Sequence, residues 1–229
     1  MRSTFRITAW AAWLPGQADL ITGGTAAPSR TPPALLRRRV TPIGRKVLEA
    51  AWAVVPEACS PRIILSSRHG EYLRTLGLLT SLAETGEVSP AEFSLSVHHA
   101  LAGLLSIATG NRAGHSAVAA GTESFGYGML EAAACLAEDG RPTLLMHFDE
   151  GLPESHGEIA GPREAATAVA VLLAPADADD GLPVTLEMLP AEQPGDDPLA
   201  LTFISMLSET AFHGEAAGCR MIWRWRRAA

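Results

Sequence analysis

The sequence predicts an α/β fold, a mixed sheet with helices on its faces, and three observations carry the prediction. Short apolar runs of strand length alternate along the chain with segments of helical periodicity. One run, Ala166 to Leu173, is almost unbroken in aliphatic residues, as strands buried on both faces are. Finally, the small-residue strand Ser116 to Ala120 turns through Gly121 into a helix. With 229 residues, 47% of them hydrophobic, the chain can bury a substantial core.

Taken in order, Phe5 to Leu14 reads as a strand, ended by Pro15-Gly16. Residues 22–33, TGGTAAPSRTPP, sustain neither periodicity and read as an exposed connection. Thr41-Pro42 is an N-cap followed by proline at the first helical position, and Ile43, Val47, Ala50 and Val54 then recur at helical spacing. Arg62 to Ser67 is a strand, and His69-Gly70 turns it into a helix with Tyr72, Leu76, Leu79 and Ala83 on one face. Ser89-Pro90 opens a segment to Gly110 that is apolar or small on nearly every side, so it needs cover all round. A helix over 125–137 stops at Asp139-Gly140, and strands follow at Thr143 to Phe148 and Ala166 to Leu173. These five strands fall within residues 1–175. Residues 176–229 form a C-terminal extension on the same domain: a strand at Val184 to Leu189, a helix from Leu199 to Phe212, and Arg220 to Arg226 as an edge strand.

Composition excludes several functions. The longest apolar run falls far short of the roughly 18 residues of a membrane span, and the first 15 residues lack the pattern of a secretory signal, so a cytoplasmic location is expected. Cys59, Cys135 and Cys219 are odd in number and widely spaced, which favours free thiols over disulfides or a thiolate cage. Net charge is −7, yet residues 1–75 hold eleven Lys/Arg against four Asp/Glu. That basic third suits an acidic partner and equally suits scattered, solvated arginines. Nucleic acid is excluded by the overall sign and by the lack of aromatics among Arg37, Arg38 and Arg39.

The site-like feature is SAVAAGTESFGYGMLEA. A strand entering a helix through a sharp turn presents the turn residue to the helix N-terminus, whose free amides favour negative charge. That is a nucleophile's position, occupied here by Thr122 and Glu123, neither a ready nucleophile without an adjacent base. The plainer reading makes one of them a helix cap. Gly114 to Val118 does not match the G-x-S-x-G elbow, and no phosphate-binding glycine loop occurs. His98 and His99 are adjacent on a presumed helix and point about 100° apart, so they do not clamp one metal; no metal and no cofactor are expected. Asp149 and Glu150, at a strand's carboxyl end, stand where ligands gather in α/β sheets, or merely cap a loop.

The segment SPAEFSLSVHHALAGLLSIATGNRAGHSAVAAGTESFGYGMLEAAACLAEDGRPTLLMHFDE, Ser89 to Glu150, resembles the amino-terminal half of β-ketoacyl-acyl-carrier-protein synthases, condensing enzymes of the thiolase fold. Joined with RRRVTPIGRKVLEAA and SSRHGEYLRTLGLL, it is similar to a narrower group, the short chain length factors of aryl polyene and xanthomonadin-type pathways. The likeness covers roughly residues 5–174. It implies a thiolase-like half-fold, with Thr122 or Glu123 at the place of the acyl-accepting cysteine. Two departures matter: the cysteine is absent, and residues 176–229 hold a single histidine, His213, and nothing like the half that carries the two catalytic histidines.

The resemblance therefore implies a non-catalytic subunit that forms a heterodimer with a catalytic β-ketoacyl synthase and serves an acyl carrier protein. In this family, strands of two subunits pair across the dimer. The matching interface and acyl-tunnel candidates are His98, His99, Leu101, Leu104, Leu105, Ala108, Ser116, Ala117, Val118, Ala119, Ala120 and Phe125. Arg37, Arg38, Arg39, Arg45 and Lys46 are candidates for binding the acidic carrier. The alternative is an independent decarboxylase or thioesterase using Thr122 or Glu123.

Overall fold

Strand β3 (Arg62–Ser66) shows how the layers are set: Ile63 and Leu65 enter one core, and Ile64 enters another on the opposite face. The structure, a computed structural model, describes residues 1–25, 31–153, 156, 166–208 and 211–227. Among these the remaining strands are β1 (Arg2–Trp13), β2 (Ile21–Gly24), β4 (His115–Val118), β5 (Thr143–Asp149), β6 (Thr167–Ala174), β7 (Leu182–Pro190), β8 (His213–Ala217) and β9 (Met221–Arg227). They form one mixed sheet in the order β4-β3-β5-β6-β1-β7-β9-β8, with β2 added beside β1. β3 runs parallel to β4 and β5; every other pairing is antiparallel.

The expected α/β architecture is present, and the sheet is wider than the five strands expected, nine in all. The five expected strands form its β4-β3-β5-β6-β1 portion. Strand β2 lies in the stretch read as a bare connection, because the backbone of Ile21–Gly24 finds partners along Ala9–Ala12. The strands after residue 175 continue the same sheet through β1–β7 pairing. β9 is an inner strand between β7 and β8, not the expected edge. The edge is β8, whose sequence HGEAA shows no strand alternation of its own.

Helix α1 (Ala34–Arg37) is a single turn. Helix α2 (Pro42–Val54) starts as expected, with the Thr41 side chain accepting from Gly44 N, and buries Ile43, Val47, Ala50 and Val54 completely. With α5 (Ala100–Thr109) it covers one face of the sheet; α6 (Ser124–Asp139) and α7 (Leu199–Ser208) cover the other. A bulge in β1 between Ile7 and Ala9 swaps the faces, so that Phe5, Ile7, Trp10 and Ala12 all meet the second core. Helices α3 (Tyr72–Thr85) and α4 (Pro90–Ser96) pack on each other yet bury no residue fully; of the face expected on α3, Tyr72 and Leu76 are half-buried while Leu79 and Ala83 are exposed. The single apolar helix expected near residues 93–109 is broken by Val97–His99 into α4 and α5. Among the described residues no helix is long and apolar enough to cross a membrane.

Candidate functional site

The turn from β4 into α6 is made by Gly121, whose φ of +64° favours glycine, and by a Ser124 hydroxyl that donates to Gly121 O and accepts from Ala120 N. Neither Thr122 nor Glu123 caps the helix with its side chain, which corrects the simpler sequence reading. Thr122 is half-buried. Glu123 is 1% exposed and turns away from the helix amides toward β9. Its Oε1 accepts from Met221 N at 3.0 Å and Trp223 Nε1 at 3.1 Å, and its Oε2 accepts from Arg220 N at 3.2 Å and Arg220 Nε at 3.3 Å. A carboxylate saturated by four donors has no lone pair left for attack on a thioester. No local signal could have found this, because the partners lie about a hundred residues away in sequence.

The other interface candidates separate by burial. Ser116, Ala117 and Ala119 are exposed along or just after β4, an edge strand, while Val118 and Ala120 are half-buried. His99 is exposed and stacks on exposed His115, ring centroids 5.8 Å apart. The His98 ring lies against Gly70, its Nε2 buried without a partner. Leu101 and Leu105 are corrected: both are buried in the chain's own core, where α5 meets α2 and β3, and neither can face a partner. Phe125 is likewise internal, its ring against His147, Phe203 and Trp225. Leu104 is half-buried, and Ala108 borders a cavity of about 190 Å³ walled by Trp52, Cys59, Ile63 and Leu144 of the same chain. Burial pushes the Cys59 thiol there above its ordinary value.

What residue-by-residue reading missed is the set of exposed apolar side chains on α3, α4 and α5. Leu73, Leu79 and Leu82 on α3, Phe93 on α4, Val97 after it and Ile107 on α5, 81% exposed, all face outward. An apolar surface of this kind marks an interaction site when its members adjoin.

At the carboxyl ends of β3 and β5, Ser66 Oγ meets His147 Nδ1 at 2.9 Å, and His147 Nε2 lies 3.5 Å from Asp149 Oδ2. This serine–histidine–aspartate series is a brace, because Ser66 is fully buried and a Cβ on Gly128 of α6 would lie 2.7 Å from its Oγ. Asp149 also accepts from Ser67 Oγ and Arg68 N, so it organises the loop leading to α3. The Glu150 carboxyl is pushed above the usual range by burial and by the nearby Glu71 and Asp149. Among the described residues no group of three His, Cys, Asp or Glu could hold a metal ion.

Of the basic candidates, Arg38, Arg39 and Arg45 are exposed and Arg37 is half-buried. Arg38 and Arg39 border a groove of about 600 Å³ with Leu73, Arg74, Glu92 and Leu95. Arg74 there is neutralised by Glu71 and Glu92. Lys46 is half-buried: its Nζ pairs with Glu49 at 3.6 Å, donates to Ala18 O and sits 5.6 Å from the centroid of the Trp13 ring.

The family model for the β-ketoacyl synthase N-terminal domain matches residues 10–226. The chain belongs to that family. The match takes in β7, α7, β8 and most of β9. Among solved structures, the chain is similar to a chain of the ketosynthase ApeO in complex with its chain length factor ApeC from Xenorhabdus doucetiae, with 24% identity, 98% of this chain and 99% of that one covered, and a TM-score of 0.81. It is also similar to a chain of AntDE:AntF, a type II polyketide synthase acyl carrier protein with its hexaketide-bound ketosynthase (12% identity, 90% and 73% covered, TM-score 0.64). A third is the ishigamide ketosynthase/chain length factor (12%, 85% and 66%, TM-score 0.57). At these identities the likeness establishes the fold, the thiolase-like ketosynthase fold. Among curated proteins, none matches.

Proposed function

We propose that this chain is a non-catalytic, chain-length-factor-like subunit that pairs with a catalytic β-ketoacyl-acyl-carrier-protein synthase during polyene or fatty acyl chain elongation. The observation that carries the reading is the state of the acceptor position: a threonine whose hydroxyl makes no hydrogen bond to a base among the described residues, and a glutamate whose two oxygens are consumed by β9. Condensation needs a thiolate to hold the acyl group and groups that stabilise the enolate left by decarboxylation. An independent decarboxylase or thioesterase would face the same deficit.

Pairing is supported by β4 at the sheet edge, with its unpaired backbone groups, and by the exposed apolar residues of α3, α4 and α5. It is supported also by length: the chain from the ApeO–ApeC complex is covered to 99%, whereas the AntDE:AntF and ishigamide chains are covered to 73% and 66%. In this reading the outward residues of α3–α5 border the partner's acyl tunnel and help set how many carbons it accepts. His99, Leu104, Ser116, Ala117 and Ala119 then belong to the interface.

The deciding experiment co-expresses the chain with a full-length synthase from the same source, and measures complex mass and turnover of malonyl and acyl thioesters. A stable complex that elongates, with an isolated chain that does not, supports the proposal; unaided elongation by the isolated chain overturns it. In that assay Thr122→Ala retains activity within about twofold. A hydroxyl that moved a proton in the reaction would cost on the order of 100-fold.

An acyl carrier protein is the proposed third component, attracted by Arg38, Arg39 and Arg45. Reversing Arg38 and Arg39 to glutamate weakens carrier association at low ionic strength, and the difference fades as salt approaches 1 M, where the Debye length falls to about 3 Å. Equal binding by the reversed and native chains at low salt removes these arginines from the proposal.

A further inference from the structure

We infer that the β8–β9 hairpin seals the N-terminal end of α6, and that Glu123 is the residue that positions it. The inference deepens the proposed function and rests on its reading of the 122–123 turn as the acceptor position. Hairpin turns ordinarily project into solvent, but this one is held onto an element far away in the chain. Gly218 N donates to Met221 O at 2.8 Å to close the turn, and the amides that follow Cys219, Arg220 N and Met221 N, donate to the Glu123 carboxylate.

The approach is as close as the backbone permits. A Cβ on Gly218 would lie 2.5 Å from Glu123 Oε1, and one on Gly126, in the first turn of α6, would lie 2.5 Å from the Trp223 indole. Trp223 is fully buried, and its ring packs edge-on against Tyr127 with centroids 5.1 Å apart. Over the outside, the Arg220 guanidinium sits 5.4 Å from the Tyr127 ring centroid. Indole and hairpin backbone thus fill the space an acyl group would need to reach Glu123. The chain closes the Glu123 half of the acceptor turn, with Thr122 beside it half-buried, and no acyl group reaches the carboxylate.

Glutamate is specific to this task. Glutamine has the same shape, but its amide presents N–H groups where Glu123 accepts two donors per oxygen, so donor would meet donor. Hydrogen exchange of the full chain tests the seal. In Glu123→Gln the amides of Arg220 and Met221 exchange about 10- to 100-fold faster than in the native chain, as expected for losing bonds to a charged acceptor, while the β3–β5 amides are unchanged. Trp223→Phe removes one donor and gives a smaller, roughly three- to tenfold, acceleration. Arg220→Ala keeps its backbone amide and stays within about twofold. If Glu123→Gln does not fold, Trp223→Phe carries the test alone. Unchanged exchange at 220 and 221 overturns the seal even if the chain pairs with a synthase. Accelerated exchange sustains it even if pairing fails, in which case the proposed function falls by itself.

Discussion

Ala119→Arg abolishes co-purification with the proposed partner synthase while leaving the isolated chain folded. Ala119 is exposed just beyond β4, beside the unpaired edge of the sheet, so in the free chain an arginine there extends into water and changes stability by less than about 0.5 kcal/mol. In a complex built on this edge the guanidinium would be trapped without a counter-charge where backbones approach closely. An unpaired buried charge costs several kcal/mol, so affinity falls by at least about 100-fold. The control is Ala137→Arg, on the exposed C-terminal part of α6, which leaves the complex intact. Co-purification and sedimentation of both variants are the measurement. Undiminished association of the Ala119 variant places the partner on another face.

Gly126→Ala destabilises the isolated chain by about 2 kcal/mol, against the direction helix propensity predicts. Alanine in a helix interior is favoured over glycine by about 1 kcal/mol. At position 126 the added methyl falls 2.5 to 2.7 Å from three atoms of the Trp223 indole, and that ring cannot retreat, because it is fully buried and its Nε1 is bonded to Glu123. Overpacking of this kind costs about 1–3 kcal/mol, occasionally more, and outweighs propensity. Gly77→Ala, in α3 with nothing within 4 Å, is the matched contrast and gains roughly 0.5–1 kcal/mol. Urea denaturation of the two variants reads opposite signs; equal signs would mean that the helix–hairpin contact is looser than 2.5 Å implies.

The elements that could be read from the chain are those whose cause is local. Thr41-Pro42 caps α2 because a hydroxyl three residues from an amide and a ring with fixed φ act within one turn. Gly140 ends α6 in the left-handed conformation for the same short-range reason. The strands β3, β5 and β6 announce themselves because burial on both faces demands a nearly continuous apolar sequence, and β1 does so by its aromatic and β-branched content. The turn at Thr122–Glu123 was visible as a site candidate since strand, glycine and helix follow one another directly.

What stayed illegible was decided between segments distant in sequence. Arg220 to Arg226 carries the charged alternation of an edge strand, yet β8 pairs along it and makes it internal, since arginine stems cross a sheet face while their charged ends reach solvent. Leu101 and Leu105 could not be told from Ile107 by composition, although two of them are core and the third is exposed, because helix orientation depends on what α5 packs against. Glu123 is the sharpest case. From its neighbours it is a cap or a failed nucleophile, and only the return of β9 supplies the four donors that make it an anchor. Sequence alone determined the layered class and the family, since periodicity and motif are short-range properties. Tertiary structure decided which side chains are free and which are spent, because burial and hydrogen bonding belong to pairs of segments and not to either one.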